Sequence, residues 1–306
     1  MSLPAGNVRP LLGKGKLRRA RPAPARQPDG HAPAALVPPT PDGYLLGPRH
    51  LPPIQGLPVR SLPNVRVVLV EPASPGNIGS TARVLRNTGI DRLVLVNPGD
   101  WDRPEARWLA HGSEAVLDQA LVVPDLATAV ADAHLVVGTT HRTGKQREVD
   151  AHPRETLAEV ARVALTHQVA LVFGREKDGL WHDELALCHQ LVRFPSAVEH
   201  PSFNLSHAVL LCTYELFHAS QGARPRPHRH LATAADREEF YRHLLAALTA
   251  IEFRPFNDDP RNFSRALRRV FNRMDLDDRD LRLLHRLCGQ VTKFAERHLP
   301  PAASDA

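Results

Sequence analysis

Three short stretches of this 306-residue chain hold residue types whose spacing could do chemistry. The first is Pro75-Gly76-Asn77-Ile78-Gly79-Ser80-Thr81-Ala82-Arg83, with Asn87 and Gly89 beyond it. Small residues where a strand turns into a helix let backbone approach a nucleotide or phosphate. Arg83 adds a permanent positive charge on the first turns of that helix, suited to orienting a phosphate or stabilising a developing oxyanion. The second is Leu171-Val172-Phe173-Gly174-Arg175-Glu176-Lys177-Asp178-Gly179-Leu180, a buried strand ending in a glycine and a charged turn. Gly174 could let a ligand lie against the backbone. The third is Phe194-Pro195, then Pro201-Ser202-Phe203-Asn204-Leu205-Ser206-His207-Ala208-Val209.

Each stretch also has a plain structural account. The first could be an ordinary strand–helix turn, the second a charged surface turn, and the third a helix capped by Ser202 or Asn204. Gly76-x-x-Gly79 also imitates half of a dinucleotide-binding fingerprint, with Asp100 about 20 residues on. That fingerprint is incomplete, and nucleotide binding would not require an arginine at position 83.

The elements that must position these residues follow from hydrophobic patterning. Strands are predicted at Val65–Val70, Arg92–Val96, Ala120–Val123, His134–Gly138, Ala170–Phe173 and Leu191–Phe194. Several are continuous apolar runs, which suits a parallel sheet covered on both faces. Helices are predicted at Ile78–Asn87, Glu105–Ala110, Leu126–Ala131, Arg154–Thr166, Asp183–His189 and Asn204–Phe217. On the last, Leu205, Ala208, Val209, Cys212 and Leu216 share one face. The alternation from residue 64 to 222 is that of an α/β domain.

The flanks differ. Residues 1–63 hold 14 of the 28 prolines with little periodicity and read as a disordered Pro/Arg-rich tail. Residues 223–233 read as a linker. Residues 234–298 are helical throughout, a small C-terminal extension, with Asp236 and Glu239 spaced like a capping box. Its three apolar stripes are Phe240, Leu244, Ala247, Leu248, Ile251; Leu267, Val270, Phe271, Met274; and Leu281, Leu284, Cys288, Val291, Ala295.

Charge is unevenly placed. The formal net charge is +6, yet residues 1–66 carry 10 Lys/Arg against 2 Asp/Glu, and residues 67–222 carry 13 against 19. Residues 223–306 carry 16 against 12, with Arg261, Arg265, Arg268, Arg269 and Arg273 around the second helix of the extension. Basic flanks attract an anionic polymer, since neutralising phosphates releases counterions; a solvated tail and a solvated helix face are the structural readings. Three well-separated cysteines argue for a reducing compartment and against a disulfide framework or a zinc site. No run of 18 apolar residues predicts a membrane span, and the N-terminus lacks a signal-peptide core. The 17 histidines form no metal-ligand cluster, so no metal is expected.

Taken together, N-x-G-x-x-x-R-x-x-x-x-x-G, F-G-x-E-x-x-G-L and S-x-N-x-S resemble the SpoU/TrmH family of SPOUT RNA 2′-O-ribose methyltransferases, over roughly residues 64 to 222. The helical extension is similar to that of the family's TrmJ-like branch. The resemblance implies a SPOUT-type parallel sheet with a C-terminal trefoil knot, a homodimer, a cytoplasmic location, and S-adenosylmethionine as cofactor. It implies a tRNA (cytidine/uridine-2′-O-)-methyltransferase acting in the anticodon loop. An enzyme acting on ribosomal RNA, or a non-catalytic RNA-binding protein of the same fold, are the alternatives.

By the same resemblance, Arg83, Asn77 and Ser202 are the catalytic candidates. Thr139, Thr140, His141, Gly174, Phe194, Ser202, Phe203, Asn204 and Leu205 are the candidates for holding the cofactor, many through backbone groups around the adenine. Glu176 and Ser206 match further polar motif positions. Apart from the resemblance, whose branch pattern the loop from His141 to Arg147 follows less closely, Arg142, Lys145 and Arg147 in that loop are the RNA-contacting candidates.

Overall fold

The computed structural model describes residues 61–141, 153–198, 203–223, 230–255 and 259–298. Expectations for the first 60 residues, for Ser202, and for Arg142, Lys145 and Arg147 fall outside them.

Six strands form one parallel sheet: β1 (Val65–Val70), β2 (Arg92–Val96), β3 (Leu121–Val123), β4 (Leu135–Thr139), β5 (Val169–Phe173) and β6 (Gln190–Val192). Their order is β3-β2-β1-β5-β4-β6. Val68 of β1 pairs with Val94 of β2 on one side and Val172 of β5 on the other. All six residues of β1 are buried. The continuous apolar runs therefore mean what they predict: both faces of the sheet are covered. Alternate β1 residues feed two cores. Val65, Val67 and Leu69 pack in one, and Val68 and Val70 in the other.

The first core is closed by α1 (Pro75–Asn87), α2 (Pro104–Ala110), α3 (Glu114–Asp118), α5 (Pro153–Val163) and α7 (Leu205–Ser220), and the second by α4 (Leu126–Val130) and α6 (His182–Leu187). α1 begins three residues earlier than the apolar pattern predicts. Ser74 is its N-cap, accepting from the Asn77 amide, and Pro75 takes the first helical position, where a missing N–H costs nothing. α3 has no counterpart among the predicted helices, because its five residues are too few to show a period. Several elements end earlier than the pattern predicts, among them α5, which stops at Val163 rather than Thr166. α6 stops at Leu187 because His189 joins the sheet, its amide donating to the Val136 carbonyl at 2.8 Å. β6 stops at Val192, whose partner Thr139 is the last residue of β4. The buried His189 ring accepts from the Val136 amide at 3.2 Å, and burial, then the charge of Arg237, push its pKa down to about 3.

Gly79 has a packing role rather than a ligand-facing one. A Cβ there would stand 2.0 Å from the Ala106 carbonyl oxygen of α2. The two helices cross backbone to backbone, and the small residues of the first motif are used for that contact.

Three further helices, α8 (Ala234–Ala250), α9 (Pro260–Asn272) and α10 (Asp278–His298), build a third core around Phe240, Tyr241, Ala247, Leu276, Leu281 and Cys288. The cap of α8 is Thr233, with Asp236 as its third residue, so the capping box lies three residues earlier than expected. Of the second apolar stripe, Phe271 packs on this core, whereas Val270 and Met274 are exposed. Hydrogen bonds join these helices to the sheet domain. The amides of Ala234 and Ala235 donate to the carbonyls of Ala133 and Ala131, and Asn272 donates to the Cys188 carbonyl at 3.2 Å.

Gly79→Ala is expected to lower stability by about 2–4 kcal/mol, as overpacked and strained core sites do. Denaturant melts of the two proteins check it, and equal midpoints would mean that α1 and α2 separate at no cost.

Candidate active site

The parallel strands end together, and the residues singled out from sequence gather at their C-terminal edge, where open α/β sheets bind ligands. A cleft there is lined by Thr139, Thr140 and His141 after β4, and by Phe173 and Gly174 of β5 and its end. The loop from Arg175 to Leu180, then Val192 and Phe194 around β6, and Phe203, Leu205 and Ala208 at α7 complete it. Seven of the nine cofactor-holding candidates line this cleft. Ser202 is outside the described residues, and Asn204, the exposed N-cap of α7, is not among the lining residues.

Gly174 is forced by a different approach from the one expected. A Cβ on it would lie 2.2 Å from the Gly179 carbonyl carbon. The loop folds back on itself there, the Arg175 amide donating to the Gly179 carbonyl at 3.2 Å and the Gly179 amide to the Arg175 carbonyl at 2.9 Å. Gly179 itself has φ of +68°, a left-handed conformation open to glycine. The two glycines of the motif thus shape the loop, and the loop shapes the cleft.

A polar relay ties the three sequence motifs together. Glu176 accepts from the amides of Ala73 (3.0 and 3.2 Å) and Ser74 (3.2 Å), and from Asn77 Nδ2 at 3.1 Å. Asn77 Oδ1 in turn accepts from Asn204 Nδ2 at 2.8 Å. Asn204 Oδ1 accepts from the Ser206 amide (3.0 Å), the Ser206 hydroxyl (2.7 Å) and the His207 amide (3.4 Å). Partial burial alone would raise the Glu176 pKa. The donated hydrogen bonds, from Ala73, Asn77 and Ser74, outweigh it and hold the carboxyl below its ordinary value of 4.5. These amide orientations follow from the network, in which each side-chain oxygen meets a donor.

Arg83 is placed apart. With α1 beginning at Pro75 it lies on the third turn, it is exposed, and it is not among the residues lining the cleft of its own chain. Asp100, the acid of the dinucleotide reading, pairs with Arg103 at 2.8 Å on the surface.

Arg175 is a residue the sequence reading passed over. Its side chain, 10% exposed, bridges Glu71 and Glu184 and lies 3.5 Å from the Trp181 ring centroid. The only signal was its place inside the second motif, where its partners at 71 and 184 are invisible.

The chemistry of the cleft fits S-adenosylmethionine. Phe194, Leu180, Leu205 and Ala208 give apolar walls for a purine, while Asp178 gives a carboxylate for ribose hydroxyls or a cationic end. Among the described residues, no group of three or more His, Cys, Asp and Glu could hold a metal ion, and no helix is long and apolar enough to cross a membrane.

Comparison with known proteins agrees with the geometry. The model of the SpoU rRNA Methylase family matches residues 64–214, and that of the tRNA methyltransferase TrmJ C-terminal domain matches residues 235–299. The chain belongs to the SpoU methylase family. Its relatives place it in the TrmJ branch. A tRNA (cytidine/uridine-2′-O-)-methyltransferase TrmJ of Sodalis glossinidius is 36% identical over 244 residues, covering 78% of this chain and 94% of that protein. A tRNA (cytidine/uridine/adenosine-2′-O-)-methyltransferase TrmJ of Pseudomonas aeruginosa is 35% identical, covering 76% and 96%. The crystal structure of TrmJ from Z. mobilis superposes with a TM-score of 0.62 at 31% identity, covering 74% of this chain and 98% of that one.

Glu176→Gln is expected to destabilise the protein, and the effect depends on pH. The folded carboxyl has a lowered pKa, so its contribution is present above the ordinary value of 4.5 and is lost as pH falls through the folded value. Unfolding free energies of wild type and variant should therefore differ most near neutrality and converge in acid. A gap that is constant with pH would show that the charge does not matter.

Proposed function

We propose that this chain is an S-adenosylmethionine-dependent RNA 2′-O-ribose methyltransferase that acts on cytidine or uridine in the tRNA anticodon loop. The observation that carries this reading is the relay Glu176–Asn77–Asn204 at the edge of the strand-end cleft, which joins three motifs far apart in sequence. The named activities of the TrmJ relatives supply the substrate class. Membership of the SpoU rRNA Methylase family favours a second substrate reading, ribosomal RNA.

On this reading Thr139, Thr140, His141, Gly174, Phe194, Phe203 and Leu205 hold the cofactor, with Ser202 and Asn204 at the start of α7. When bound, S-adenosylmethionine supplies a methyl group already activated by its sulfonium. The difficulty left to the protein is the ribose hydroxyl, a poor nucleophile until its proton leaves. Arg83 orients the neighbouring phosphate and stabilises the developing alkoxide. A guanidinium with pKa above about 12 is protonated and serves poorly as a base. Ser202 holds the ribose, and Arg142, Lys145 and Arg147 contact the RNA backbone.

The reading includes a homodimer. Arg83 lies outside the cleft lining of its own chain, and Leu210, Tyr214, Trp108 and Leu109 on α7 and α2 are exposed apolar side chains that a second copy could cover. It also includes a trefoil knot, for which the support is the path. The chain passes from β4 to β5 inside the sheet, returns outside β4 as β6, and runs through α7 back to α1 and α5. The proposed divisions are a tail to residue 63, a methyltransferase domain at 64–222, a linker at 223–233 and a helical extension at 234–298. The cytoplasm is the proposed location.

The test is transfer of labelled methyl to total tRNA and total ribosomal RNA, followed by nucleoside analysis. Label recovered as 2′-O-methylcytidine or 2′-O-methyluridine from tRNA is the expected result. Label in ribosomal RNA alone would move the substrate, and none in either would leave an RNA-binding protein. Arg83→Ala should cut turnover by at least about 100-fold while the cofactor affinity stays within about twofold, as loss of a group acting on the transition state does. Turnover retained by that variant would refute the role of Arg83.

A further inference from the structure

We propose that Arg175 is a positioning residue that fixes the cofactor loop to the end of β1 and to α6, a role that rests on the cleft being the cofactor site. The position is the variable x of F-G-x-E-x-x-G-L, so the family pattern does not single it out. Its surroundings do.

All five N–H donors of the guanidinium are used. Nε donates to Glu71 Oε2 at 2.9 Å, and Nη2 donates to Glu71 Oε1 at 2.7 Å and to Glu184 Oε1 at 2.9 Å. Nη1 donates to Glu184 Oε2 at 2.9 Å and to the Gly179 carbonyl at 3.4 Å. One planar fork thus grips two carboxylates bidentately and closes its own loop. The Trp181 ring, 3.5 Å away, stacks on the guanidinium and is 54% exposed.

The partners join three elements. Glu71 is the residue after β1 and has φ of +44°, a left-handed conformation that a non-glycine residue adopts at a cost. Two hydrogen bonds from Arg175 hold it there. They also hold its pKa below the ordinary carboxylate value. Glu184 belongs to α6 and accepts the Trp181 amide at 2.7 Å, closing the start of that helix. Arg175 therefore ties the β5 loop to the end of β1 and to α6. Its neighbour Glu176 anchors Ala73, Ser74 and Asn77 at the start of α1. Two adjacent residues hold the loop to the turn between β1 and α1, one through a cation and one through an anion.

A side chain used in this way touches the loop, not the reacting atoms. Its loss should loosen the cofactor site while leaving the transfer step largely intact. A lysine keeps the charge and loses both forks, so the conservative change is the sharper test.

The experiment measures S-adenosylmethionine affinity by calorimetry, cofactor KM and kcat, and thermal midpoint for the full-length chain. The variants are Arg175→Lys, Arg175→Met and Glu71→Gln. Arg268→Met serves as control, because Arg268 makes a comparable double pair with Glu238 away from the cleft. Expected for Arg175→Lys is a fall in affinity and a rise in KM of about tenfold, with kcat at saturation within about threefold. Glu71→Gln should move the same way, and Arg268→Met should leave affinity unchanged whatever it does to the midpoint. Wild-type affinity in Arg175→Lys overturns the proposal. So does a loss of affinity shared by Arg268→Met, which would show only general destabilisation. If Arg175→Met does not fold, Arg175→Lys and Glu71→Gln decide. Wild-type protein that binds no S-adenosylmethionine overturns the functional reading, which separates that failure from a failure of the clamp.

Discussion

One carboxylate beside a parallel sheet has to satisfy several donors at once, and that requirement organises the site. Glu176 takes two backbone amides and a side-chain amide from the turn between β1 and α1. The turn needs it, since the first N–H groups of a helix have no partner within the helix. The carboxylate needs the turn, since a half-buried charge without donors is costly. Asn77, held by this exchange, presents its oxygen to Asn204, and Asn204 then caps α7. Three segments, the first 99 residues from the second and 127 from the third, are fixed relative to one another by hydrogen bonds whose members each have a second partner. Networks of this kind are rigid when complete and expensive when one member is removed.

The rest of the fold serves to bring those segments to one edge. The strands run parallel, so their C-terminal ends lie together, and the chain must cross back by a helix each time. β1 is central and, apart from Arg66, apolar; both of its faces are covered, and the buried Arg66 guanidinium donates to the Asp132 carboxylate and the Ala129 carbonyl. Close helix crossing at Gly79 then sets how α1 sits on α2, and with it the direction from which Asn77 enters the site.

Much of this was legible in the sequence, for identifiable reasons. Val65–Val70 and Arg92–Val96 are long apolar runs with polar ends, and their limits agree with the sheet to the residue. Asn204 could be read as a cap because a polar side chain preceded a helical apolar face. What could not be read was any pairing between distant residues. Nothing local says that Gly174 faces Gly179 rather than a ligand, or that Gly79 faces Ala106. Nothing local says that Arg175 meets Glu71, which is 104 residues away. Short elements were lost for a different reason. The five residues of α3 span little more than one turn, and a period needs more than that to show. The shift of the α8 cap from Asp236 to Thr233 is a case of two eligible residues three apart, which only the observed hydrogen bonds distinguish.

The site is unequal in its finish, and that inequality bears on the reaction proposed for it. On the cofactor side nearly every polar group already has a partner: Glu176, Asn77, Asn204 and Arg175 are each held by two or more hydrogen bonds. Such groups cost nothing to reorganise when a ligand arrives, which is the condition for electrostatic preorganisation. Arg83, by contrast, projects from α1 as an exposed side chain. A long flexible cation in water is worth little where it stands and much where a polyanion or a second protein surface removes the water around it. In the proposed enzyme the cofactor half is therefore built by folding alone. On the proposed reading, the half that would activate the hydroxyl is completed when RNA, and a second copy of the chain, are in place. Such an order would keep an activated methyl donor beside a site that lacks its full charge until the substrate supplies the surroundings in which the charge acts.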